Sequence, residues 1–244
     1  MGFVDLHCHI LPGLDDGALD VLDSVAMAHR AVREGFSAIC ATPHIRQDHE
    51  VAIGEIAGRV AALGEELERR GIPLRILRGG EVAETIVDDL DDAQLRAVCL
   101  GDGHWILLEP RPGPISASLE ATVGRLIERG FQPLIAHPER HLAADMFERL
   151  TRVVQRGALV QATAAHFEGA PTAEGMLELA GRGLVHVLAS DAHSSHVGRP
   201  VSIARGLQAL SGVERVAEHL DWIAYAAPAA IVAGGVPKPP YAAG

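Results

Sequence analysis

The chain has 244 residues, 48% of them hydrophobic, which suffices for two small domains or one α/β barrel, and a single domain over 1–244 is expected. A formal charge of −11, with no stripe of Lys or Arg, excludes nucleic-acid backbone as a partner of the bulk surface. No apolar run reaches about 18 residues and no basic-then-apolar leader precedes His7, so neither membrane insertion nor export is expected, and the compartment read from this is the cytoplasm.

Short β-rich runs alternate with longer amphipathic stretches along the chain. The first strand, near 3–7, ends in His7-Cys8-His9, whose period-two spacing turns both imidazoles to one face and the cysteine to the other. Leu14-Asp15-Asp16-Gly17 then turns into a helix over 19–34. Asp15 and Asp20 fit a turn and a helix cap, whereas Asp16 fits either a turn or a metal ligand. A second strand, 37–42, leads to His44 and to a helix over 51–70. The third, 74–79, leads through Gly79-Gly80 to Glu81, a residue that also suits the first turn of a helix. The fourth, 105–109, ends on Glu109 before a helix over 116–128. His137 closes the fifth, 133–137, with Arg140 three residues on and a helix over 145–156. The sixth strand, 158–162, carries no ligand type at its end and precedes a helix over 172–181. The seventh, 185–190, runs into Asp191-Ala192-His193 and Arg199, with two helices beginning near Pro200 and Val213. From Gly234 onward the chain reads as a frayed tail.

Strand–helix alternation requires a parallel sheet with right-handed crossovers, and roughly seven repeats in one unit predict a distorted TIM-like (β/α)7 barrel. The doubly wound alternative would place a glycine-rich loop after an early strand, and the first turn here has none. Barrels assemble their sites at the strand C-termini, so ligand types at all but one of the predicted strand ends point to a metal cluster on that rim. Neutral imidazoles mixed with hard carboxylates, without a thiolate pair, suit manganese, iron or zinc in an open site. The remaining histidines singled out, His29, His49, His104, His186 and His219, fit surface or core positions. Cys40 and Arg46 have the Cys-x5-Arg spacing of thiolate phosphatases, but the stretch lacks a glycine and contains Pro43, which has no N–H to donate to a phosphate. Three scattered cysteines, Cys8, Cys40 and Cys99, give no disulfide framework.

Asp5-Leu6-His7-Cys8-His9, Thr42-Pro43-His44, Gly80-Glu81, Leu107-Leu108-Glu109, Ala136-His137-Pro138-Glu139-Arg140 and Ser190-Asp191-Ala192-His193, in that order, resemble the polymerase and histidinol phosphatase (PHP) family of metal-dependent phosphoesterases. The opening His-x-His-Ile-Leu-Pro-Gly-Leu-Asp-Asp-Gly most resembles the manganese-dependent bacterial protein-tyrosine phosphatases of capsule and exopolysaccharide synthesis. The resemblance implies the PHP fold and three divalent cations, manganese first, with iron or zinc as alternatives. By its pattern His7, His9 and Asp191 hold the first cation, and Glu81 bridges to a second that also takes Glu109 and His137. Asp16, His44 and His193 hold the third. Arg140 would clamp the phosphoryl oxygens, and Arg199 resembles a second phosphate-binding arginine, displaced by one residue with Gly198 as the insertion. The implied activity is hydrolysis of phosphotyrosine by a water that the cations ionise, on a bacterial tyrosine kinase. A small phosphomonoester such as histidinol phosphate is the alternative substrate, and a metal-binding scaffold without turnover the alternative of another class.

Overall fold

The order of strands explains where the site forms. In the computed structural model, which describes residues 2–49, 51–143, 145–167, 169 and 171–244, β1 (Phe3–Cys8), α1 (Val21–Arg33), β2 (Phe36–Ala41) and β3 (His44–Ile45) come first. Then follow α2 (Ile56–Arg69), β4 (Arg75–Arg78), β5 (Glu81–Ala83), α3 (Asp92–Ala97), β6 (Trp105–Glu109), α4 (Ala117–Glu128) and β7 (Gln132–Ile135). The chain continues through α5 (Met146–Gln155), β8 (Leu159–Thr163), α6 (Ala173–Gly181), β9 (Val187–Ala189), α7 (Ala204–Leu210), α8 (Glu214–Ala217) and α9 (Ala227–Val232). Every strand pairing is parallel, in the orders β1-β2-β4 and β3-β5-β6-β7-β8-β9. The sheet curls until its ends meet, where Asp191 N–H donates to His7 O at 2.9 Å and His9 N–H to Ala192 O at 2.8 Å.

Two expected strands form close to their expected bounds, and each is followed by a further short strand outside the expected set. The strands expected over 37–42 and 74–79 stop at Ala41 and Arg78, one residue short of their expected ends, and after a break β3 and β5 begin at His44 and Glu81. Pro43 cannot donate to a ladder. At Gly80 a Cβ would come within 2.9 Å of Ile45 and of Val98, so only glycine lets these segments pack. The break carries His44 directly opposite Glu81 in the β3/β5 register. Short α3 lies outside the expected helices, although Asp91 and Gln94 cap it reciprocally. α1 begins where expected, with Asp20 accepting the Asp23 N–H at 2.9 Å.

Inward residues of alternate strand positions, Leu6, Cys40, Trp105, Leu107, Leu134 and Val187 among them, form one buried cluster with Ala227 and Ile231 of α9, which plugs the N-terminal end of the barrel. A second, larger cluster lies between sheet and helices. The closing segment, expected to fray, instead lies along that N-terminal end. Trp105 Nε1 donates to Gly235 O at 2.9 Å, Tyr241 Oη to Val185 O, and Gly244 N–H to Arg182 O at 2.9 Å. Tyr241 supplies the reason: its ring packs against His186, His219 and Trp222, burial that a composition of Gly and Pro does not advertise. Among the described residues no helix is long and apolar enough to cross a membrane. All three cysteines are free and buried.

Candidate metal centre

β1 is irregular in register between Asp5 and Cys8, and the slip changes which parity faces inward. Val4 and Leu6 belong to the interior cluster, whereas beyond the slip Cys8 packs outward and His7 and His9 turn in. Their Nε2 atoms approach to 3.2 Å. Glu81 Oε2 lies 3.3 Å from each of them and 2.9 Å from His44 Nδ1. Its other oxygen sits 2.6 Å from His137 Nε2. Asp191 Oδ1 closes the first group at 3.4 Å from His7 Nε2 and 3.7 Å from His9 Nε2. Glu109 Oε1 is 4.0 Å from His137 Nε2. Asp16 Oδ1 lies 3.4 Å from His44 Nε2 and 3.6 Å from His193 Nε2.

All nine expected ligands therefore meet at one rim, in overlapping groups whose ligand atoms lie within 4.8 Å of one another. Asp16, left between a turn and a ligand by the sequence, points its carboxylate at His44 and His193. Glu81 belongs to a strand rather than to a helix's first turn. Two residues, His137 with φ 32° and Asp191 with φ 50°, adopt left-handed backbone, the only non-glycines among the described residues to do so, and both lie on this rim.

Whether cations suit this cluster can be tested on its hydrogen bonds. Glu81 Oε2 and Asp191 Oδ1 are buried and accept none, although imidazole nitrogens crowd them. The outward nitrogens of His7 and His9 are occupied instead. His7 Nδ1 meets Gln161 Oε1 at 2.9 Å, and His9 Nδ1 meets Asp15 Oδ2 at 2.8 Å. Asp15 also accepts the His44 N–H at 2.9 Å. Such partners fix the tautomer, leaving Nε2 lone pairs aimed inward beside carboxylate oxygens, a donor set that fits divalent cations. Electrostatics agree. Burial opposes charge on His9, yet Asp15 and Glu81 raise its pKa to about 10. Burial likewise opposes the Glu81 carboxylate, but the charge of His7 and the contacts of His137 and His44 hold it well below the usual range. The pocket thus draws positive charge.

Asp15 and Gln161 join the site without belonging to the expected set. Gln161 stands in the strand that offers no ligand at its end, and a lone amide inside the apolar run 158–162 is the available signal. Arg46 also falls outside that set, yet it lines the cavity over the rim, with Nη1 3.5 Å from Glu109 Oε2. Cys40, its partner in the thiolate spacing, is fully buried in the barrel interior, where burial pushes its thiol far up. His49 stacks on His44 with ring centroids 4.9 Å apart.

Arg140 and Arg199 line the same cavity of about 470 Å³. Each brings a terminal nitrogen to 2.9 Å from Asp191 Oδ2, so two guanidinium groups converge on one anionic point. Gly198, at φ 85°, turns the loop back so that Arg199 Nε reaches Asp191 O at 2.8 Å despite its displaced position in the sequence.

A curled parallel barrel with a candidate metal cluster at its strand C-termini places the chain in the class of metal-site barrel proteins built at that face. More narrowly, it belongs to the CpsB/CapC family of capsular polysaccharide synthesis, whose model matches residues 3–231. Tyrosine-protein phosphatase YwqE of Bacillus subtilis is 35% identical over 199 residues, covering 78% of this chain and 77% of the relative. Tyrosine-protein phosphatase CpsB of Streptococcus agalactiae is 26% identical over 211 residues, covering 81% and 85%. Among solved structures, one described with YwqE from Bacillus subtilis and CpsB from Streptococcus pneumoniae as unique metal-dependent tyrosine phosphatases superimposes with a TM-score of 0.80. It shares 28% identity and covers 99% of each chain.

Proposed function

We propose that the chain is a metal-dependent protein-tyrosine phosphatase, with three manganese ions as its cofactor and a cytoplasmic tyrosine kinase of polysaccharide synthesis as its substrate. The convergence of nine ligand-type side chains on one rim, with Arg140 and Arg199 on the wall of the cavity beside it, carries the reading. The names of the relatives support it. His7, His9 and Asp191 would hold one ion, Glu81, Glu109 and His137 a second with Glu81 shared, and Asp16, His44 and His193 a third. Divalent cations bound there neutralise a phosphoryl dianion and lower the pKa of water to roughly 7.

The chain's own groups supply the rest. A phosphoryl group in transfer carries charge on its non-bridging oxygens, and Arg140 and Arg199 present paired N–H donors to that charge from the cavity wall. Gln161 and Asp15 hold His7 and His9 in the ligating tautomer. Asp5 ties the two rim segments by accepting from Ser190 N–H at 3.1 Å and His7 N–H at 3.2 Å. A phenolate leaves with a pKa of about 10, so tyrosyl phosphate needs less proton assistance than an alkyl ester.

The test is hydrolysis of a phosphotyrosyl peptide beside histidinol phosphate with manganese added. Turnover of the peptide that chelation abolishes and Cys40→Ser leaves intact is the expected result. Preference for histidinol phosphate would transfer the site to small-molecule chemistry, and no turnover of either would leave a metal-binding scaffold. A readout apart from activity is thermal stability. Manganese at about a hundredfold its dissociation constant stabilises by about 2.7 kcal/mol, an increment that Glu81→Gln should remove.

A further inference from the structure

The two most exposed large apolar side chains among the described residues are Leu19, 77% exposed, and Val197, 75% exposed. Single exposed leucines are ordinary on protein surfaces. These two come from loops far apart in the chain, yet both line the cavity that holds Arg140, Arg199, His44 and His193. Their loops are joined by one buried carboxylate. Asp23 Oδ2 accepts the Leu19 N–H at 3.1 Å, and Oδ1 accepts the Ser195 N–H at 2.8 Å. On the second loop, Gly198 in left-handed backbone sends Arg199 down to Asp191 while Val197 stays out in solvent. The cavity is therefore charged at its floor and apolar at its lip, and on the second loop Arg199 and Val197 serve the two levels from either side of Gly198.

We infer that Leu19 and Val197 form a subsite for the aromatic ring of the substrate, held at a fixed spacing by Asp23, and that this lip selects aryl over alkyl phosphate esters. The inference rests on the phosphatase reading above. A cavity with an apolar wall and a few convergent polar groups is the ordinary form of a small-ligand site. In a phosphotyrosyl side chain the ring stands between phosphorus and the peptide backbone, so phosphate on the arginine floor puts the ring at the height of the lip. A phosphoseryl side chain has no ring to span that depth. Its backbone would meet Leu19 and Val197 before its phosphate reached Arg140.

The experiment uses the manganese-loaded full chain with Leu19→Ser, Val197→Ser, the double variant and Leu22→Ser. Leu22 is 65% exposed on the neighbouring helix turn but does not line the cavity, so it controls for loss of general surface hydrophobicity. Each lip variant should lower kcat/KM for a phosphotyrosyl peptide by about tenfold, through KM. The same variants should leave the rate on a phosphoseryl peptide equal or higher and inhibition by inorganic phosphate unchanged, because phosphate alone occupies the floor. Calorimetric binding of a peptide carrying non-hydrolysable phosphonomethyl-phenylalanine should weaken in parallel, and Leu22→Ser should match the parent protein throughout. If the parent hydrolyses phosphotyrosine and the double variant keeps its preference for it within twofold, the aryl subsite is wrong and the phosphatase reading stands. An equal loss on both peptides, or a shifted inhibition by phosphate, would mean that the lip acts on the floor and would overturn the subsite. A parent that hydrolyses only alkyl phosphates would overturn subsite and reading together.

Discussion

Glu81 illustrates how one residue can organise a site through what it lacks. It is fully buried, three imidazoles lie within 3.3 Å of Oε2, and that oxygen accepts no hydrogen bond. A buried carboxylate in that condition is costly unless a cation shares it. The arginines work by geometry as much as by charge. A planar fork meets two phosphoryl oxygens at once, whereas an ammonium is a point charge. Arg140→Lys should therefore keep the net charge and the fold, yet lower kcat/KM for an aryl phosphate by on the order of a hundredfold. Steady-state kinetics with manganese saturating, beside a thermal melt, checks this; an effect under about threefold would mean that charge alone suffices. Glu81 is legible in the sequence because it follows a predicted strand end, and Arg140 through the resemblance of the stretch around His137 to the PHP family. Gln161 and Asp15 are not, because an orienting partner need only be near a ligand in space, and nothing in their local sequence records that.

At the level of elements, the site depends on departures from regularity. A uniform β1 would keep one parity inward and send His7 and His9 out with Asp5; the register slip reverses them. Breaks at Pro43 and at Gly79-Gly80 bring His44 beside Glu81. Gly80→Ala places a methyl 2.9 Å from Ile45 Cγ1 and Val98 Cβ, inside a packed layer that cannot easily move. It should cost about 1–3 kcal/mol in urea unfolding. Because Glu81 is the next residue, it should also weaken manganese binding in titration. Unchanged metal affinity would show that the glycine serves packing alone. Periodicity locates the strands but not these interruptions, since proline and glycine mark possible breaks and only the neighbours that approach them make the breaks obligatory.

Across the whole molecule, chemistry occupies one end of the barrel and closure the other. Tyr241 seals the N-terminal end against His186, His219 and Trp222. Tyr241→Ala should cost about 2–3 kcal/mol, less than the 3–5 of a fully buried ring, and a loss below about 0.5 would return the segment to a frayed tail. His186 couples this end to pH. It is fully buried, its Nδ1 accepts the Val160 N–H at 3.1 Å, and burial lowers its pKa to about 3. Below the unfolded value of about 6.5, the unfolded chain takes a proton that the fold refuses. Stability is thus complete above pH 6.5 and falls, by up to about 1.4 kcal/mol per pH unit, as pH drops toward 3. In His186→Asn, which keeps an acceptor for Val160, unfolding free energy measured at pH 7.5 and pH 4.5 should differ less than in the parent. Equal slopes would remove His186 from the acid response.

The alternation of elements, the parallel sheet and the nine ligand types were determined by the sequence alone, because strand periodicity and ligand chemistry are local properties readable residue by residue. Only tertiary structure decided that Asp16 turns toward His44, that Arg199 regains the cavity through Gly198, that Cys40 points into the core, and that the last residues pack rather than fray. Each of those outcomes depends on which distant segment lies alongside. Contacts between residues far apart in the chain leave no period or motif in either partner.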